Sequence, residues 1–151
     1  MKNHPTMQII DFIQTQVEQL PNQPLHFQHQ SFTYDDATQS WQPARIPGGE
    51  FPLLLGDVYR INFTEDLRLK TWSLSLVYLE PHLPDTSDVP DAHRRAEAVL
   101  IELLARLEAF EEVVIASPPE LSFFWNQTEA RLAGANLLVQ LKGANAPVPC
   151  C

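Results

Sequence analysis

The chain has 151 residues, 44% hydrophobic and 19% charged, which is enough apolar material for one packed core and too much for a disordered chain. A formal net charge of −9, with 10 scattered basic residues and Arg94-Arg95 as the one adjacent pair, lacks the basic stripe that displaces counterions from nucleic acid. Sequence-specific nucleic-acid binding is therefore not expected, nor is a membrane span, since no apolar run approaches roughly 20 residues.

In chain order, "MQIIDFIQTQVEQLP" carries Ile9, Ile10, Ile13, Val17 and Leu20 on one helical face, and Pro21 stops it, predicting a helix over about 7–20. The residues ahead of it lack the long apolar segment of a secretion signal, so the expected compartment is a bacterial-type cytoplasm. "PLHFQHQSFTYDD" reads as a strand, and "ATQSWQPARIPGGEFP" as a loop or a pair of short strands turning at Gly48-Gly49. "LLLGDVYRINF" alternates, with Tyr59, Ile61 and Phe63 on one side and Val58, Arg60 and Asn62 on the other. "LKTWSLSLVYLE" puts Trp72, Leu74, Leu76 and Tyr78 on a shared face. The polar connector "TEDLR" at 64–68 joins these two segments as an antiparallel pair.

Three prolines and three aspartates make "PHLPDTSDVPD" at 81–91 a loop. It leads into a helix over about 91–110, where Ala96, Val99, Leu100, Leu103, Leu104 and Leu107 repeat at helical spacing. Asp88 or Asp91 stands where a carboxylate caps the first turn. "VVIA", "LSFFW" and "GANLLVQLKG" then read as extended. Helix, strands, helix, strands predicts one α+β domain over 1–151, with two helices packed on a mainly antiparallel sheet and a flexible tail at 143–151.

Catalytic patterns are weak throughout. His26 and His29 are three apart on a strand, so they point to opposite faces and do not converge on a metal. Asp85, Asp88 and Asp91 lack the register, central glycine and distal glutamate of a calcium loop. There is no G-x-S-x-G elbow, and the adjacent glycines of "PGGEFP" fit a turn rather than a phosphate cradle. Cys150 and Cys151 make no disulfide framework and sit on the tail, far from any predicted base. The reading is a non-enzyme without catalytic residues, metal or cofactor.

The aromatic strand "ELSFFWN" is different. Phe123 and Trp125 share one face and Phe124 takes the other, so both faces need cover. Ring side chains that the domain does not enclose are favoured interface anchors.

The succession "GEFPLLLGDVYRINF", "TWSLSLVYLE", an acidic loop, "AHRRAEAVLIELLARLEAF", a short strand and "ARLAGANLLVQLKGANAPVPCC" resembles the tail terminator and minor tail proteins of tailed phages and prophages, over roughly residues 50–151. The resemblance implies a structural virion-assembly protein of α+β fold. Such subunits form a homo-oligomeric ring that stops growth of the tail tube and offers the head a docking surface, with tube or head-connector proteins as partners. A ring needs two unlike contact surfaces per copy. On this reading they are the aromatic strand with Phe123, Phe124 and Trp125, and the loop with Leu83 and Pro84. Val148, in the tail, would be ordered by a neighbour. The competing expectations are a ligand-binding α+β module whose pocket opens between helix 91–110 and the sheet, or a small hydrolase.

Overall fold

The computed structural model describes residues 5–20, 25–29, 32–35, 40–43, 50–111, 113–125 and 131–144. Its elements are α1 (Pro5–Gln19), β1 (His26–His29), β2 (Phe32–Asp35), β3 (Ser40–Pro43), β4 (Leu53–Phe63), β5 (Leu69–Pro81), α2 (Val89–Glu108), β6 (Val113–Ile115), β7 (Glu120–Trp125) and β8 (Leu132–Ala144). The α+β reading holds, with two helices on a mostly antiparallel sheet. The sheet runs β1-β4-β5-β8-β6, and β7 also pairs with β8.

The apolar periodicities fix which faces meet. Ile9, Ile10, Ile13, Val17 and Leu20, the residues predicted to share a face, are all buried. In α2, Ala96, Leu100, Leu103 and Leu107 are buried, while Val99 and Leu104 flank them at the rim. Both helices lie on the sheet face formed by Leu54, Trp72, Leu74, Leu76, Tyr78, Ala135, Leu137, Val139 and Leu141. The opposite face carries a second cluster of Leu53, Leu55, Val77, Leu79 and Leu132, with Phe51, Tyr59 and Phe124 packed against it. Having apolar side chains on both faces is why the middle of β5, from Trp72 to Glu80, is buried without a break.

Three local expectations are revised. The segment predicted as one strand after α1 splits: β1 joins the main sheet parallel to β4, whereas β2 pairs with β3 in a separate two-stranded sheet. The alternation of β4 breaks where Val58 pairs with Leu74 and Arg60 with Ser73, leaving Tyr59 as an extra residue. Val58 and Ile61 consequently both pack on the helix-side core and Tyr59 on the other cluster, against a strict two-residue period. Asp88 occupies the cap position of α2, and its backbone carbonyl accepts the Ala92 N–H at 3.0 Å, but its side chain makes no cap bond; Oδ1 instead accepts the Leu83 N–H at 2.9 Å, closing the loop on itself. The first turn is set by Pro90 and the nearby Asp91 carboxylate, which suits the positive end of the helix.

Five strands lie flush. Phe27, Leu54, Tyr78, Ala135 and Phe123 form one row across β1, β4, β5, β8 and β7. Gly134 sits in the adjacent row beside Leu79, where a Cβ would lie 1.7 Å from the Tyr78 carbonyl oxygen. Backbone, not a movable side chain, is the obstacle. Gly134→Ala is accordingly expected to destabilise by about 3 kcal/mol or more, at or beyond the upper range for overpacking, in chemical denaturation of the purified chain. Leu100→Ala, which only removes volume from a buried site, should cost about 2–5 kcal/mol by the same measurement.

Candidate functional site

Two ends of the sheet carry the unusual chemistry. Lys70 and Glu80 of β5 mark them, ten strand steps or about 33 Å apart.

At the first end, β4 and β5 are joined by Thr64–Arg68. The Thr64 hydroxyl donates to Asp66 Oδ1 at 2.7 Å, and the Arg68 N–H donates to the same oxygen at 3.1 Å. These bonds hold the exposed Asp66 carboxyl below its ordinary range. Leu67 takes a left-handed backbone with φ 60°, unfavourable for any side chain with a Cβ, and yet is 59% exposed. Phe63 and Leu69 are exposed beside it, and Thr64, Glu65, Asp66, Arg68 and Leu69 line a shallow, open depression. Lys70 is buried, with Nζ 5.7 Å from the Phe63 ring centre and 5.6 Å from that of Trp72. Its ammonium lies over aromatic faces, and no carboxylate among the described residues forms an ion pair with it.

At the second end, Glu80 continues the helix-side face of β5 and is buried. Its carboxylate accepts the Tyr78 hydroxyl at 2.6 Å and Arg95 Nε at 3.1 and 3.0 Å, with a further hydrogen bond and ion pair from the Arg95 terminal nitrogen. Burial alone would raise the Glu80 carboxyl. The Arg95 hydrogen bonds, helped by the Tyr78 hydroxyl and the guanidinium charge, outweigh it and hold the group low. Burial chiefly, then the Glu80 carboxylate, pushes the Tyr78 hydroxyl well above its ordinary value.

Imidazoles tie the aromatic strand to this end. His82 is buried, and its Nδ1 lies 2.7 Å from the Leu83 carbonyl; a carbonyl only accepts, so Nδ1 carries the proton. Its ring meets Trp125 edge-on at 6.1 Å. His93 of α2 donates from Nε2 to the Phe124 carbonyl at 2.8 Å, and its ring packs 5.2 Å from Phe123.

Phe123 and Trp125 are 45% and 48% exposed, Leu83 is 53% exposed, and Pro84 is exposed, whereas Phe124 is half-buried under the second cluster. The strand and the loop come together at one end of the sheet through His82. Val148, Cys150 and Cys151 lie outside the described residues. His26 and His29 stay apart: the first is 3.2 Å from Glu50, the second 3.0 Å from Asp57. Of the three loop aspartates, Asp85 accepts the Ser87 N–H and hydroxyl at 3.0 and 2.8 Å, Asp88 accepts Leu83, and Asp91 pairs with Arg94. Among the described residues no three His, Cys, Asp or Glu side chains are gathered to hold a metal ion, and no helix is long and apolar enough to cross a membrane. Between α2 and the sheet, where the competing reading expects a ligand pocket, Leu100, Leu103 and Leu107 pack in the buried core.

The Tyr78–Glu80–Arg95 network was overlooked in the sequence, although a sign of it was there. Glu80 falls two residues after Tyr78 on the buried face, and a charge at a core position needs a cation. No protein-family model and no curated protein matches this chain.

The network has a pH consequence at each extreme. Because the folded-state pKa of Glu80 is lowered, its contribution is present above the unfolded value near 4.5 and is lost as pH falls through the folded one. Because that of Tyr78 is raised, its contribution is present below the unfolded value of 10 and is lost as pH rises beyond it. In urea titrations across pH, Glu80→Gln should flatten the acid limb of the stability profile and Tyr78→Phe the alkaline limb, each reducing the other limb only in part, because Arg95 still holds Glu80 low and burial still holds Tyr78 high.

Proposed function

We propose that this chain is a tail-terminator-like assembly subunit: copies form a ring at the end of a phage or prophage tail tube, and the ring's two faces contact tube and head-connector proteins. The supporting observation is that apolar side chains are left exposed at both ends of the same sheet. Phe63, Leu67 and Leu69 stand at one, and Leu83, Phe123 and Trp125 at the other. A subunit inserted between two different partners along one axis needs such a pair of unlike ends. Leu67 sharpens the point. Glycine would relieve its left-handed backbone, so an exposed leucine there serves contact rather than stability.

The reading places function in surfaces rather than in a reaction centre, and Tyr78, Glu80 and Arg95 serve to hold the second surface rigid. Leu67→Gly should therefore raise stability by about 1 kcal/mol, measured by chemical denaturation, while impairing assembly. Trp125→Asp should leave the circular-dichroism spectrum intact and impair assembly likewise. Expressed with the tube protein of the same element, the unaltered chain should give tails of uniform length in electron micrographs, and either variant should give overlong tubes. A stable monomer that leaves tube length unregulated overturns the reading.

A further inference from the structure

We propose that one copy joins the next edge to edge, the outer edge of β7 pairing antiparallel with the outer edge of β1 of a second copy. The inference rests on the assembly reading above and specifies the lateral contact that reading needs. Among the described residues, neither edge is paired by another strand: β1 has β4 on one side only, and β7 has β8 on one side only. They are opposite edges of one sheet, so joining them is head-to-tail and propagates around a ring.

The two edges match in height, direction and face. The residue rows place His26, Phe27, Gln28 and His29 level with Phe124, Phe123, Ser122 and Leu121, respectively. Since β1 runs with β4, and β5, β8 and β7 each reverse direction in turn, β7 runs opposite to β1. Copies in a common orientation therefore meet in an antiparallel pair. Phe27 and Phe123 lie in the row of the helix-side residues Leu54, Tyr78 and Ala135, so flush pairing carries the same face from copy to copy.

Charge agrees. Exposed Glu50 lies just beyond this end beside β1, where it meets His26, and exposed Arg131 lies beyond the same end next to β7. β7 also lacks the usual guards of an edge strand, with Glu120 its one charged residue and neither a proline nor a bulge within it. His93 pins β7 to α2 through the Phe124 carbonyl and presents the edge in a fixed position, while that oxygen keeps a second lone pair.

The test is disulfide trapping at Gln28 and Ser122, which are level with each other and exposed. Within one chain they are four strand spacings apart, about 19 Å, too far to bridge. With Cys150 and Cys151 replaced by serine, the Q28C/S122C double variant should give a ladder of covalent oligomers on copper-catalysed oxidation, and neither single variant should. Native mass spectrometry of the unsubstituted chain is run alongside. Cross-linked dimers from S122C alone overturn the proposal in favour of β7 meeting β7. Rings in the native spectrum without a ladder overturn edge pairing and leave the assembly reading standing. Monomers without cross-links overturn both.

Discussion

The antiparallel pairing of β5 with β8 over all 13 residues of each strand sets the position of nearly everything else. It aligns the row from Phe27 to Phe123, carries the helices on one face and the second apolar cluster on the other, and fixes how far apart the two ends lie. The pairing depends on close approach at Gly134, where β8 passes so near the Tyr78 carbonyl that a side chain has no room. One position without a Cβ thereby lets β7 lie level with the rest of the sheet, with Phe124 opposite that glycine.

From this ladder follows the electrostatic organisation of the second end. Glu80 is carried inward by the same alternation that buries Trp72, Leu74, Leu76 and Tyr78. An unpaired carboxylate there would cost several kcal/mol, and α2 places Arg95 against it. The helix thus does two jobs: Leu100, Leu103 and Leu107 seal the core, and Arg95 and His93, nearer its start, hold a strand end and an edge strand.

Much of the architecture was legible in the sequence because it rests on long periodic segments. The faces of α1, α2 and β5 came directly from the spacing of their apolar residues, since packing enforces the 3.6 and 2.0 periods there. Legibility failed where one residue breaks a period or where pairing is nonlocal. Tyr59 is such a residue, and the parallel placement of β1 against β4 depends on a partner more than 20 residues away. The spacing of Phe123, Phe124 and Trp125 shows that both faces of β7 need cover, but which face stays open depends on the fold: Phe124 is packed against the second cluster, and Phe123 and Trp125 are left exposed. The hairpin tip was missed because Phe63, Leu67 and Leu69 are unremarkable apolar letters until the turn lifts them into solvent. Asp88 illustrates a subtler limit: it stands where a helix cap belongs, yet the Leu83 N–H takes its carboxylate instead.

β6 and β7 run in the same direction along the same side of β8, against residues 141–143 and 133–138, so they amount to one border interrupted at Ala116–Pro119. The interruption is anchored: the Ala116 N–H donates to the Gln140 carbonyl at 2.7 Å, and the Ser117 hydroxyl reaches the Gln140 side chain. Pro118 and Pro119 have no N–H to offer an incoming chain. Any strand recruited to this border is stopped after one short segment, so the protein keeps an adhesive margin while denying fibrils the long uninterrupted template they require.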